Sequence, residues 1–313
     1  MTAFLITATI FLLAALITAL ICFFKIFYSP KRKPATDGKI EIPVGDIYEV
    51  HRPQLEKWVI ESRTKSHLDV EIKSFDGLTL RGKYYEYAKG APIELMMHGY
   101  QGNGERDMSG GIYRSARLGH SALVIDHRAS GRSDGKVISF GINESRDCIS
   151  WINFILSDID RDAKIILTGI SMGASTALIT SGKELPKNVV GVLADCGYTS
   201  AKDIIKKVIR DMKLPAEILY PAARLGARLF GGFDLEETSP IEATKRSSLP
   251  TIFFHGDNDA FVPHYMSEEN YEACAAPKKL VIIKGAGHGL AFPIDQELYI
   301  KEAQNFFREH IEY

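Results

Sequence analysis

A chain of 313 residues with 45% hydrophobic and 25% charged side chains has the composition of a folded protein, which argues against disorder or low complexity. The formal net charge of −1 and the lack of a nucleic-acid-binding motif argue against a DNA or RNA partner. The four cysteines, Cys22, Cys148, Cys196 and Cys274, lie far apart and without zinc-site spacing, so we expect free thiols and no metal.

The first segment of the chain is apolar and long enough to cross a membrane. Ala3 to Phe24 contains no charged residue, and at 1.5 Å per residue it spans a hydrocarbon core of about 30 Å. A cleaved signal peptide is the alternative, but no Lys or Arg precedes the run and it ends in bulky residues. We predict an uncleaved transmembrane anchor over residues 1–28, in contact with membrane lipid.

Basic residues follow the apolar segment, and none precedes it. They are Lys25, Lys31, Arg32 and Lys33. By the positive-inside rule, they predict that the rest of the chain lies on the cytoplasmic side. Residues 29–66 are predicted to form a polar juxtamembrane linker with a short amphipathic helix near Gln54 to Ser62.

Residues 67–313 have the pattern of one domain. Leu68–Phe75 and Leu78–Tyr87 alternate like strands and meet at Asp76-Gly77, a hairpin turn signal. Continuous apolar runs predict six further strands at Ile93–Met97, Ala122–Ile125, Ile165–Leu167, Val189–Leu193, Thr251–Phe254 and Leu280–Ile283. Helices are predicted at Glu105–Leu118, Glu144–Leu156, Ala174–Lys183, Pro263–Ala273 and Gln296–Glu312. This order predicts an α/β fold with a mostly parallel eight-stranded sheet and helices on both faces.

A long and mainly helical stretch, residues 200–248, interrupts this alternation. An excursion here would lie above the carboxyl ends of the strands, where ligands bind in open α/β sheets. We interpret residues 206–233 as a small lid. A surface helix pair without a gating role is the alternative.

The segment Gly169-Ile-Ser171-Met-Gly173 contains the pattern Gly-x-Ser-x-Gly, directly after a predicted strand and directly before a predicted helix. Such a sharp strand-to-helix turn exposes the serine hydroxyl, and its glycines keep side chains from colliding. Ser171 is therefore the candidate nucleophile. The N-terminus of the following helix also offers N–H groups to an oxyanion.

A serine hydroxyl needs a base to take its proton, and His288 is the candidate. It follows the last predicted strand, at the same end of the sheet as Ser171, and fits the chain order Ser, Asp, His. His98, His127 and His255 also end strand-like runs, and for them we expect hydrogen bonding within loops.

The acid that orients the histidine should follow the preceding strand. Asp259 is our choice there, and Asp257 is a second candidate that instead braces the turn. Asp195, at the end of an earlier strand, is a third. For the oxyanion hole we predict the N–H groups of Met172 and Tyr100, the latter in the glycine-rich segment after His98. A phosphate-binding loop is excluded there, because no Gly-Lys-Ser/Thr follows.

These motifs together resemble the α/β-hydrolase superfamily. They are His98-Gly99, Asp126–Gly135, Gly169–Gly173, His255–Asp259 and Gly287-His288, in that order. The chain looks closest to bacterial membrane-anchored serine hydrolases related to the acylaminoacyl-peptidase and dipeptidyl-peptidase branch. The resemblance covers Leu68 to the C-terminus and implies an α/β-hydrolase fold, with Ser171, Asp259 and His288 as the triad of an acyl-serine mechanism. The propeller of those peptidases has no counterpart here, which argues against peptide cleavage.

We therefore expect a serine hydrolase that cleaves a small-molecule carboxylic ester or related acyl compound, without a metal or an organic cofactor. Aminopeptidase-like or acyltransferase activity on the same triad is an alternative. A catalytically silent, membrane-tethered binding protein is another, since fold alone does not decide function.

Overall fold

The computed structural model describes residues 1–30 and 39–311. Lys31, Arg32 and Lys33 lie outside the described residues, so most of the basic cluster expected beside the membrane stays a prediction. All eight predicted strands form, and they join into one eight-stranded sheet. The predicted fold class, α/β with helices on both faces of the sheet, is confirmed.

The elements follow the predicted alternation. The strands are β1 (Leu68–Lys73), β2 (Thr79–Tyr85), β3 (Ile93–Met97), β4 (Ser121–Ile125), β5 (Ile165–Ile170), β6 (Val189–Asp195), β7 (Thr251–Gly256) and β8 (Lys278–Ile283). The helices are α1 (Thr2–Cys22), α2 (Asp46–Glu49), α3 (Arg52–Thr64), α4 (Gly104–Leu118), α5 (Ile142–Phe154), α6 (Met172–Ser181), α7 (Ala201–Asp211), α8 (Ala216–Gly226), α9 (Pro240–Thr244), α10 (Tyr265–Ala273), α11 (Ala291–Ile294) and α12 (Gln296–His310). Helices α1, α5 and α8 continue into π-helical turns at Phe23–Phe27, Ile155–Ile159 and Ala227–Gly231.

The strand order in the sheet is β1-β2-β4-β3-β5-β6-β7-β8. Strand β2 runs antiparallel to both its neighbours, and the pairs from β4 to β8 are parallel. Because the carboxyl ends of parallel strands share one edge of the sheet, the loops after β3, β5, β6, β7 and β8 converge there. These loops carry the predicted site residues.

Helices cover both faces of the sheet, which explains the continuous apolar runs. Strands β3, β4 and β7 are buried along their whole length. One face packs around Trp151 of α5 and Leu178 of α6. The other packs around Trp58 of α3 and Tyr299 of α12, whose ring stacks on Phe254 with centroids 3.5 Å apart.

The last turns of α1 pack into the domain, while residues 2–15 are exposed. Helix α1 approaches α8 so closely that a Cβ at Gly226 would lie 2.4 Å from the carbonyl oxygen of Ala19. Phe27 is fully buried, with its ring 5.5 Å from that of Phe233, and its carbonyl accepts a hydrogen bond from the Ile138 N–H. The helix over Thr2–Phe27 is long and apolar enough to cross a membrane. Its C-terminal end is thus fixed rigidly to the domain.

The stretch at 200–248 is helical, as expected, and contains α7, α8 and α9. Helices α7 and α8 form an apolar cluster with the end of α1, through Ile205, Tyr220 and Ala223 against Phe23. The lid function of this stretch stays a prediction. Its contact with α1 was not predicted from the sequence.

Candidate active site

Ser171 occupies a strained turn between β5 and α6. Its backbone has φ 55° and ψ −118°, and its N–H donates to the carbonyl of Asp195 at 2.8 Å. A Cβ at Gly169 would lie 2.2 Å from the Gly173 carbonyl carbon, and one at Gly173 would lie 2.0 Å from the Met97 carbonyl oxygen. Both glycines of the motif are therefore required by close backbone approaches, and the turn aims the hydroxyl at the strand ends.

The three side chains of the predicted triad lie together. His288 Nε2 is 3.0 Å from Ser171 Oγ, and His288 Nδ1 is 2.7 Å from Asp259 Oδ2. With a neutral imidazole, Nδ1–H donates to the carboxylate, so Nε2 is left to accept the serine proton. The loop after β8 carries His288, and the loop after β7 carries Asp259. His288 lies 117 positions after Ser171 along the chain.

Asp259 is held as an anion by four hydrogen bonds. Its Oδ1 accepts from the N–H groups of Phe261 and Val262, at 2.9 and 2.8 Å, and its Oδ2 faces His288 and His255. Burial alone would raise the pKa of Asp259, but the hydrogen bonds from the two histidines outweigh it. The pKa is therefore held well below its usual range.

His255, near the end of β7, forms the loop hydrogen bonds that we expected of it, and it also contacts Asp259, which we did not predict. It is fully buried, and its Nε2 lies 2.8 Å from the Val262 carbonyl and 3.2 Å from Asp259 Oδ2. Since a carbonyl only accepts, Nε2 carries the proton, and Nδ1 accepts from the Ser267 hydroxyl at 2.6 Å. The sequence contained a signal for this contact, because His255 lies at the end of an apolar run, four residues before Asp259.

The two other candidate acids have different partners. Asp257 Oδ1 accepts from the Gly285 N–H at 2.6 Å, which braces the turn as we expected of it. Asp195 Oδ2 accepts from the Tyr299 hydroxyl at 2.9 Å. In the part of the chain that the structure describes, neither of these carboxylates forms a hydrogen bond with His288, whereas Asp259 does.

Of the two predicted oxyanion-hole residues, Met172 directly follows Ser171, and Tyr100 lines the same cavity as Ser171. Met172 is the first residue of α6, so its N–H has no acceptor within the helix. Tyr100 follows His98 and Gly99, and the His98 ring connects this loop to the next one. Its Nδ1 donates to the Gly99 carbonyl at 2.7 Å, and its Nε2 accepts from the His127 N–H at 3.0 Å. Burial lowers the pKa of His98, which keeps it neutral for these two bonds. The expected loop role of His98 is thus confirmed.

A cavity of about 810 Å³ contains Ser171 and His288. One wall comes from residues 43–48, which we name the strap, in the predicted linker. The Tyr48 hydroxyl donates to the His288 carbonyl at 3.0 Å, and Ile47 packs over Gly287. Among the described residues, none of 200–248 lines this cavity. The strap therefore covers the part of the site beside His288.

Tyr48→Phe removes the hydrogen bond to the loop of His288. We expect kcat/KM for an ester to fall about fivefold, since one net hydrogen bond is worth about 1 kcal/mol and the imidazole would be held less firmly. Steady-state kinetics measure this change. Tyr87→Phe, at an exposed tyrosine outside the cavity, is the matched control and should retain wild-type kinetics. Equal losses in both variants would contradict a positioning role for the strap.

The lowered pKa of Asp259 also predicts sensitivity to acid. A carboxyl whose pKa is lower in the folded than in the unfolded chain stabilises the folded state at pH values above its unfolded pKa of about 3.9. This stabilisation is lost as the pH falls through the pKa of the folded state. The difference in free energy of unfolding between wild type and Asp259→Asn should therefore shrink from about pH 6 to about pH 3. Denaturant titrations measure it, and a constant difference would contradict this account.

The thiol of Cys196 also lies near the triad. Its Sγ and ligand atoms of Asp259 and His288 are all within 4.8 Å of one another. Burial raises the pKa of Cys196 well above its usual value, which disfavours the thiolate that metals bind. The Asp259 and His288 atoms in this group already bond each other, so the triad accounts for this cluster.

The sequence is similar to several known proteins. The chain is 30% identical to YqkD, an uncharacterized protein of Bacillus subtilis, over 190 residues that make up 60% of this chain and 62% of YqkD. The match thus spans less than two thirds of YqkD. Thiohydrolase apmlB of Arthrinium phaeospermum is 36% identical over 136 residues, 41% of this chain and 42% of that protein. No protein-family model matches the chain.

Among solved structures, an esterase from Pyrococcus furiosus is similar with a TM-score of 0.67 at 22% identity, over 87% of this chain and 97% of the esterase. At such identity the similarity establishes the fold. The strand order, with β2 antiparallel, and the serine on the turn after β5 agree with it. The narrower resemblance to the acylaminoacyl-peptidase branch stays a prediction. The chain therefore has the α/β-hydrolase fold.

Proposed function

We propose that the protein is a serine hydrolase that cleaves a carboxylic ester or a related acyl compound through an acyl-serine intermediate. The observation that carries this proposal is the relay from Ser171 Oγ to His288 Nε2, at 3.0 Å, and from His288 Nδ1 to Asp259 Oδ2, at 2.7 Å. These distances lie within proton-transfer reach. The names of a similar esterase and a similar thiohydrolase support acyl chemistry.

In the first half-reaction, His288 Nε2 takes the hydroxyl proton while Ser171 Oγ bonds to the substrate carbonyl carbon. The N–H groups of Met172 and Tyr100 hold the resulting oxyanion. The protonated His288 then gives its proton to the leaving alcohol or thiol as the carbon–heteroatom bond breaks, and the acyl group stays on Ser171.

In the second half-reaction, His288 takes a proton from water, whose oxygen bonds to the acyl carbon. Collapse of that intermediate returns the proton to Ser171 Oγ and releases the acid. Asp259 stabilises the imidazolium in both halves. Its hydrogen bonds from Phe261 and Val262 keep it ionised and fixed in place.

Fluorophosphonate labelling of the full chain tests this proposal. A serine activated by a base should form a covalent phosphonyl adduct, and peptide mapping should place that adduct on Ser171. Ser171→Ala should lose both the label and ester hydrolysis, whereas Ser157→Ala, at an exposed serine, should retain them. A chain that takes no label and cleaves none of a panel of esters, thioesters and aminoacyl amides would refute the hydrolase proposal.

We also propose that α1 spans the membrane and that the hydrolase domain lies on the cytoplasmic side. The support is an exposed apolar helix followed by Lys25, with no basic side chain before it. Proteolysis of intact and opened inverted membrane vesicles tests the orientation. A domain digested only after the vesicles are opened would place it on the other side.

A further inference from the structure

Large apolar side chains are exposed on α8 and its π-helical turn, beside the end of α1. Ile218 is 70% exposed, Leu225 36%, Leu229 54% and Phe230 41%. We name these four side chains the apolar stripe. Ile218 and Leu225 lie about 20° apart around the helix, so they share one face, and Leu229 follows one turn later. A contiguous exposed apolar surface indicates an interaction site, whereas apolar residues scattered singly do not.

Charged side chains border one edge of the apolar stripe, and all three of those in α8 and its turn have partners. Glu217 forms an ion pair with Lys206 of α7, and Arg224 and Arg228 both pair with Asp234. Glu217 and Arg224 each directly precede a residue of the stripe, so they lie about 100° from it around the helix. An apolar face bordered by charged side chains is the pattern of a helix that lies in a membrane interface.

The other edge of the apolar stripe contacts α1. Gly226 directly follows Leu225, and a Cβ at Gly226 would lie 2.4 Å from the carbonyl oxygen of Ala19. The Phe230 ring lies 5.8 Å from that of Phe23, just after the end of α1. The stripe is therefore continuous with the apolar surface of the helix that we propose to span the membrane.

The length of α1 determines how far the membrane extends along it. Residues 2–15, which are exposed, extend about 21 Å, which is too short for a hydrocarbon core of about 30 Å. All 21 residues Thr2–Cys22 extend about 31 Å. A membrane spanned by α1 must therefore include the segment that packs on α8. Ala19 in that segment then lies within about 5 Å of the hydrocarbon edge.

Lipid is the occupant that this depth favours. Interfacial helices bury their apolar faces about 5–10 Å into the boundary between headgroups and acyl chains, which is where the contact of Gly226 with Ala19 lies. At that depth, an apolar side chain gains little from a protein partner, because acyl chains are as apolar as leucine. A second copy of the chain on the stripe is therefore the weaker alternative.

We propose that α8 and its π-helical turn lie in the membrane interface at the end of α1, with the apolar stripe against the acyl chains. This rests on the proposed membrane span and is independent of the hydrolase chemistry. The domain is then attached to the membrane at two places, α1 and the stripe. Because the Tyr100 hydroxyl donates to the Ile26 carbonyl at 2.7 Å, one wall of the cavity that contains Ser171 lies next to this attachment.

Tryptophan quenching by brominated phosphatidylcholine, in vesicles that hold the full chain, tests this proposal. Single variants place tryptophan at Leu12 in the middle of α1 and at Ile218 and Leu229 on the apolar stripe. Phe75, a similarly exposed apolar residue on the loop between β1 and β2, is the matched control position. The two native tryptophans are buried and give a constant background.

The position of the bromine atoms along the acyl chain reports depth. In Ile218→Trp and Leu229→Trp, the added emission should be quenched most by bromines near the headgroup, because the stripe lies at the boundary. In Leu12→Trp it should be quenched most by bromines near the chain end, because Leu12 lies near the midpoint of Thr2–Cys22. Phe75→Trp should keep its emission in both lipids.

Quenching of Ile218→Trp or Leu229→Trp no greater than that of Phe75→Trp would overturn the interfacial placement. If Leu12→Trp is quenched in that experiment, the span stands and the apolar stripe faces water or a second copy of the chain. If Leu12→Trp is not quenched either, the membrane span itself is refuted together with the placement. Stripe positions quenched most by the deep bromines would place α8 inside the hydrocarbon core, which also contradicts the proposal.

Discussion

Removal of residues 1–28 is expected to leave a domain that aggregates and loses ester hydrolysis. The cut deletes Phe27, which is fully buried, and Phe23, and it uncovers Phe140 and Phe233, whose rings lie 5.8 and 5.5 Å from Phe27. Each buried phenylalanine contributes about 1.5–3 kcal/mol, which is a large share of a typical total of 5–15 kcal/mol.

The same cut reaches the candidate active site. The Tyr100 hydroxyl donates to the Ile26 carbonyl at 2.7 Å, and Tyr100 carries one of the N–H groups proposed for the oxyanion. We therefore expect a lower kcat in any of the truncated chain that remains folded.

Thermal unfolding, size-exclusion chromatography and ester kinetics in detergent compare the truncated chain with the full one. The matched control deletes only residues 2–15, all of which are exposed, and should unfold near the wild-type Tm. If both truncations retain the wild-type Tm and kcat, the end of α1 is only a tether and the packing argument is wrong.

Asp259→Asn is expected to lower kcat for an ester about 10⁴-fold, with a much smaller change in KM. An amide in place of the carboxylate cannot hold His288 as the tautomer that leaves Nε2 free to accept the Ser171 proton, and it no longer stabilises the imidazolium. The contact at stake is the bond of 2.7 Å between Asp259 Oδ2 and His288 Nδ1.

Asp257→Asn is the matched control, because Asp257 lies two residues away and holds the Gly285 N–H. It should change kcat by less than about threefold, since the amide oxygen of asparagine can still accept from that N–H, and the contact is worth about 1 kcal/mol or less. A fall of less than about tenfold in Asp259→Asn would remove Asp259 from the proposed triad. A larger fall in Asp257→Asn than in Asp259→Asn would transfer the role to Asp257.

Most of the sheet could be predicted from the sequence, because each buried strand is recognisable from the side chains within it. Strands covered by helices on both faces need mainly apolar side chains in both directions, and β3 begins and ends at the predicted bounds, Ile93 and Met97, with Glu94 as its one charged residue. Strands β5 and β6 run further than predicted, because their hydrogen-bonded pairing continues through Thr168 and Asp195 after the apolar run has ended. A prediction from side-chain pattern loses the strand where the apolar residues thin out, whereas the backbone hydrogen bonds continue.

The sequence by itself determined the strand alternation and the strained serine turn, because both depend on neighbours a few residues apart. The Gly169 and Gly173 positions, for example, are dictated by backbone crowding within a single turn. Tertiary structure alone decided what covers the site. Tyr48 and the His288 carbonyl are 240 positions apart, and α1 meets α8 across a similar distance in sequence. No local pattern encodes such contacts, because they arise only when the packed domain brings distant surfaces together.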